Sequence, residues 1–70
     1  RVIYDLSFTE LVSLTLYNSR GQKIAQLLPP SRQVAGQHEF IINANQLTSG
    51  IYFVHLQAGK ENVLHKVMVF

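Results

Sequence analysis

An all-β domain, either a sandwich or a small barrel, is the fold class this sequence predicts. Three observations carry that reading. Short apolar and β-branched runs recur about every 10–12 residues, with turn formers between them. The run Val12-Ser13-Leu14-Thr15-Leu16-Tyr17 alternates with a period of two, which puts Val12, Leu14 and Leu16 on one face. No amphipathic helix is written into the chain, and no apolar run approaches the roughly 20 residues of a membrane helix.

The elements follow in order. Val2-Ile3-Tyr4-Asp5-Leu6 reads as the first strand and residues 12–17 as the second. Asn18-Ser19-Arg20-Gly21 is a hairpin connection, because Gly21 can adopt positive φ. Residues 23–28 return as the third strand. Pro29-Pro30-Ser31-Arg32 is expected to stop it, since proline cannot donate to a ladder, with a loop continuing to Gly36. The next strand is His38-Glu39-Phe40-Ile41-Ile42, with His38, Phe40 and Ile42 on one face. Residues 43–49 are polar and too short for a helix. A single turn around Ala44-Asn45-Gln46-Leu47 would let Leu47 plug the end of the sandwich. Gly50 opens a strand over residues 51–58, whose core face is Tyr52, Val54 and Leu56. A second hairpin turn spans residues 58–62, and residues 63–70 form the last strand, predicted to run to Phe70.

Composition narrows the function. Seventy residues with 47% hydrophobic content make one small domain that needs its apolar residues for a core and has little to spare for a deep cleft. There is no cysteine, so neither a disulfide nor a thiolate metal site can form. Net charge is +2, and the basic residues Arg1, Arg20, Lys23, Arg32, Lys60 and Lys66 are dispersed. A nucleic-acid binder gathers its cations on one stripe, so no nucleic-acid partner is expected. The chain starts on Arg1 with no initiator Met or signal peptide, and reads as a piece of a longer protein.

Nothing in the sequence looks like catalytic chemistry. His38, His55 and His65 fall on separate strands without the close spacing of a metal site. Ser49 precedes Gly50, but a nucleophile elbow needs G-x-S-x-G between strand and helix. Here the order is turn then strand, so Ser49 and Gly50 read as a tight turn. The acidic residues Asp5, Glu10, Glu39 and Glu61 form no pair in sequence. No catalytic residue, metal or cofactor is therefore expected. The remaining candidate is the finish Lys66-Val67-Met68-Val69-Phe70, which must bury its apolar side chains in the sheet or offer them to a partner. Its structural reading is simply a last strand. Its functional reading is an edge that gives main-chain hydrogen bonds to a partner or to a second copy of the chain. Lys66 is either a charged read-out or a guard against edge aggregation. Physics alone leaves the two readings level.

The succession Tyr4-Asp5-Leu6, Val12 to Asn18 with Gly21, Gly36-Gln37-His38, Leu47-Thr48-Ser49-Gly50-Ile51-Tyr52-Phe53-Val54 and Lys66-Val67-Met68-Val69 resembles a known family. It is similar to the type A C-terminal sorting domain of the type IX secretion system (the Por secretion system) of Bacteroidetes-type bacteria. The immunoglobulin-like domain of flagellar hook-capping proteins shares much of the pattern, but usually has a longer Asp/Gly-rich insertion before the S-G-x-Y turn. The short stretch 43–48 favours the sorting domain. The family's Asn-Pro-rich segment before the first strand is not seen in this sequence, which starts after that point.

The resemblance implies an immunoglobulin-like antiparallel β-sandwich of about six to seven short strands, occupying residues 1–70 as one domain behind a secreted cargo. In that scheme an outer-membrane translocon reads the folded domain and a sortase-like peptidase later removes it, often passing the cargo to a surface glycolipid. Lys66, Val67, Met68, Val69 and Phe70 would be the exposed part of the signal. Gly21, Gly36 and Gly50, with Ser49 beside the last, would form turns, and Tyr52 would anchor the core. The protein would be secreted or held at the cell surface. The competing reading is a structural immunoglobulin-like spacer, or an adhesion or carbohydrate-binding module. A carbohydrate-binding module needs a wider aromatic platform than Tyr17 and Phe53 supply.

Overall fold

The computed structural model describes residues 2–42, 45 and 47–70. Among them run six strands: β1 (Val2–Leu6), β2 (Glu10–Asn18), β3 (Lys23–Gln33), β4 (Gly36–Phe40), β5 (Gly50–Ala58) and β6 (Glu61–Val69). They form two antiparallel sheets, β1-β4 and β3-β2-β5-β6. The all-β prediction holds, and the arrangement is that of a small sandwich.

The period-two pattern explains the core. Val12, Leu14 and Leu16 of β2 are buried beside Tyr52, Val54, Leu56 and Ala58 of β5. Val2, Tyr4 and Leu6 of β1 cover them from the small sheet. Leu27 and Leu28 of β3, Phe40, Ile42, Leu47, and Val67 and Val69 of β6 pack around this cluster half-buried. Leu14 lies opposite Leu28 on one side and Leu56 on the other. A one-residue slip would turn every one of these side chains out to water, so burial sets the register. Leu47 does pack against the core, while the turn expected around it lies partly on residues 43, 44 and 46, outside the described residues.

Several boundaries differ from expectation: β2 extends at both ends to Glu10–Asn18, β6 starts early at Glu61, and three further differences have a clear cause. Pro29 and Pro30 do not stop the third strand: β3 continues through them to Gln33. The reason is position. β3 pairs only with β2, and the register steps from Val12↔Ser31 to Leu14↔Leu28, leaving both prolines opposite Ser13 in a bulge. An edge strand with a bulge has no ladder bond there for proline to break. The expected loop to Gly36 shrinks to Val34 and Ala35 as a result, and β4 starts early, at Gly36. His38 and Phe40 nevertheless lie opposite Tyr4 and Val2, and Ile42 packs on the core beyond the strand. Finally, the last strand ends at Val69. Val69 pairs with Gly50, the first residue of β5, so no β5 partner is left for Phe70, which is 98% exposed.

The β2–β3 hairpin shows how local chemistry makes a turn. Asn18 Oδ1 accepts from the backbone N–H of Arg20 and of Gln22, both at 2.9 Å. The Gly21 N–H donates to the Asn18 carbonyl at 3.0 Å, with Gly21 at φ 82°. Asn18→Ala removes these two bonds and the one that Asn18 Nδ2 donates to Gln22 Oε1 at 3.0 Å, and is expected to destabilise the chain by about 1 kcal/mol. Chemical denaturation measures this, and a change below about 0.3 kcal/mol would show that the turn holds without its side-chain cap.

Candidate recognition edge

The four-stranded sheet has two edges, and they differ. β3 carries two prolines and three register shifts against β2. Those features blunt an edge, because a second strand finds gaps and a bent surface instead of a regular row of donors. β6 has no proline, and its nine pairs with β5 run from Ala58↔Glu61 to Gly50↔Val69 without a shift. No described strand lies on its far side.

The β5–β6 hairpin sets which groups of β6 face that open side. Gly59 and Lys60 form a two-residue loop, with Gly59 at φ 60° in the position where such loops favour glycine. The pair flanking the loop, Ala58 and Glu61, is then hydrogen-bonded, and pairs alternate from there. Glu61, Val63, His65, Val67 and Val69 therefore turn their main chain to β5. Asn62, Leu64, Lys66 and Met68 turn theirs to the open edge. Side chains alternate as well: Val67 and Val69 pack half-buried on the core, while Lys66 and Met68 are exposed on the outer face, opposite Phe53 and Ile51.

The turn before β5 is held from inside the sandwich. The Tyr52 hydroxyl, on a buried ring, donates to the Thr48 carbonyl at 2.8 Å and lies 3.0 Å from Thr48 Oγ1. Ser49 is exposed at the bend, and Gly50 has φ 152°, which side chains rarely adopt. Gly36 opens β4 with φ 127°. The chain thus joins the turn at residues 48–50, the start of β5 and, through Gly50↔Val69, the end of β6. Tyr52→Phe keeps the ring and loses the hydroxyl bonds. It is expected to cost about 1 kcal/mol and to raise amide exchange at residues 48–51, an effect hydrogen-exchange NMR would resolve. Unchanged exchange there would show that the turn does not depend on this hydroxyl.

The histidines are placed apart. His38 stacks on Tyr4 (5.5 Å between centroids) and donates from Nε2 to the Val34 carbonyl. His55 donates from Nε2 to Asn62 Oδ1 at 2.9 Å, and His65 sits on β6 opposite Val54. Among the described residues no three metal-ligating side chains converge. Tyr17 and Phe53 lie opposite each other on the outer face, half-buried, with His55 and the exposed Leu64 beside them. Sequence reasoning missed the contrast between the two edges. Its signal was present as Pro29-Pro30 in one strand and the absence of proline from the other, but it is readable only once strand order is known.

The fold is thus a β-sandwich whose large sheet has, among the described strands, one blunted and one open edge. A family model described as "Secretion system C-terminal sorting domain" matches residues 2–70, and the chain belongs to that family. It is a C-terminal sorting signal for type IX secretion, which takes a fused cargo across the outer membrane to the medium or the cell surface. No curated protein and no solved structure matches the chain.

Proposed function

We propose that β6 and the residue after it, with Lys66, Val67, Met68, Val69 and Phe70, are what the outer-membrane translocon reads. The observation that carries this is the contrast of edges: β6 is regular and open where β3 is broken by prolines. Recognition runs through the outward main chain of β6, with Lys66 and Met68 adding side-chain read-out on the outer face. The 70 residues act as one non-catalytic domain behind an N-terminal cargo. A sortase-like peptidase then separates cargo from domain, and the cargo passes to its surface carrier.

The test is a fluorescent cargo fused ahead of the chain in a host with this secretion system. Lys66→Ala is expected to lower surface cargo about threefold, the effect of one exposed charged contact, while the purified variant keeps its denaturation midpoint. Cargo export unchanged both by Lys66→Ala and by blocking the open edge would overturn the reading.

A further inference from the structure

The open edge of β6 borders a groove. The small sheet does not close over this side of the large one: β1 pairs only with β4, and its far edge is also without a described neighbour. Between β1 and β6 lies a space of ≈ 340 Å³, to which β4 contributes no residue. Its floor is the edge of the core, with Leu56 and Ala58 below and Val63 beside them. Val63 belongs to the inward-facing set of β6 yet is 42% exposed, because no described residue covers it here. Phe8, 71% exposed, stands at the rim.

The charge of the groove is opposite to that of the chain. Asp5, Glu10 and Glu61 all line it, three of the four acidic residues in the sequence. None of the five described lysines and arginines does, and His65 is the one described side chain along it that can carry positive charge. Among the described residues no ion pair neutralises these three carboxylates. The Glu10 carboxylate reaches over the β5–β6 turn, so close to Gly59 that a Cβ there would lie 2.8 Å from Oε1. A protein of net charge +2 thus has an acidic, apolar-floored slot between two unpaired strand edges.

We propose that this groove receives an extended strand of a partner protein in which basic residues alternate with apolar ones, paired along the outer edge of β6. Its main chain meets the outward N–H and C=O groups of Asn62, Leu64 and Lys66. Its basic side chains point inward, on the face that Glu61 and Val63 share, and lay their aliphatic stems along Val63 and Leu56 with their charges at Asp5, Glu10 and Glu61, while its apolar side chains lie on the outer face beside the exposed Leu64. Alternation follows from the strand itself, since successive side chains point to opposite faces. This inference rests on the reading of β6 as the recognised strand and adds the chemistry of what it recognises.

The experiment uses the full 70-residue chain, isotopically labelled for NMR, and three synthetic peptides. One alternates lysine and valine, one alternates glutamate and valine, and one is the lysine peptide with a central proline. The lysine peptide is expected to bind and to shift the amides of residues 62–66 and of β1. The glutamate and proline peptides are expected to bind at least about tenfold more weakly, and added salt is expected to weaken the lysine peptide. The double variant Glu10→Gln/Glu61→Gln, checked for an unchanged fold by its own spectrum, is expected to lose about three- to tenfold in affinity for the lysine peptide. Equal binding of lysine and glutamate peptides, or shifts centred on Tyr17 and Phe53, would overturn the proposal. So would dimerisation of the chain through β6, which makes a second copy the occupant. The export assay separates the two levels. Export that survives the double variant but fails when the β6 edge is blocked overturns the groove and leaves the β6 reading standing.

Discussion

Met68→Pro is expected to cut surface delivery of a fused cargo by about tenfold or more while the domain stays folded. Met68 lies in a pair with Ile51 that exchanges no hydrogen bonds, so its N–H points away from β5. Proline there breaks no bond of the β5–β6 ladder, and Val67 before it is already extended, as a residue preceding proline must be. Met68 is 54% exposed, so little packing is lost. A partner strand, by contrast, loses a donor and meets the proline ring, and its unpaired carbonyl costs about 1–3 kcal/mol. Leu64→Pro, four residues back on the same edge, should behave alike. The measurement is surface fluorescence of the cargo beside a urea melt of the purified variant. Full export with either proline, in a chain that melts normally, would remove β6 pairing from the mechanism.

Leu14→Ala is expected to lose about 3–4 kcal/mol of stability, the usual cost of a cavity at a fully buried leucine. Leu14 has no exposed surface and sits between Leu28 and Leu56 in the middle of the large sheet. A chain of 70 residues has only about 4–10 kcal/mol to lose. The variant should therefore show a much lower urea midpoint, and Leu14→Met, which conserves volume, should cost under about 1.5 kcal/mol. A Leu14→Ala loss of under about 1 kcal/mol would mean the two sheets do not close over this residue. If the folded domain is what the secretion machinery reads, Leu14→Ala loses export together with the fold. Met68→Pro loses export alone, so only the second locates the signal.

Much of the fold was legible because burial in a sheet writes a period of two into the chain. Val12, Leu14 and Leu16, and again Tyr52, Val54 and Leu56, are core positions in sequence and in structure. The Asn18–Gly21 turn was legible for a local reason, since one asparagine and one glycine close it with their own atoms. Pro29 and Pro30 were misread because proline ends a central strand but not an edge strand, and edge or centre is a property of strand order. The acidic groove was not legible either. Asp5 and Glu10 are near each other in the chain but Glu61 is far from both, and the three line one groove only because β1 packs beside β6.

By itself, then, the sequence determined an all-β chain, the residues of its core, its glycine turns and the family to which its motifs belong. Each of these rests on neighbours in the chain or on strict alternation along one strand. Only the tertiary structure decided that β6 is an open edge, that Phe70 lies beyond it, and that three carboxylates share one groove. Those facts depend on which strands become neighbours, and long-range pairing leaves no mark on the local pattern of either partner.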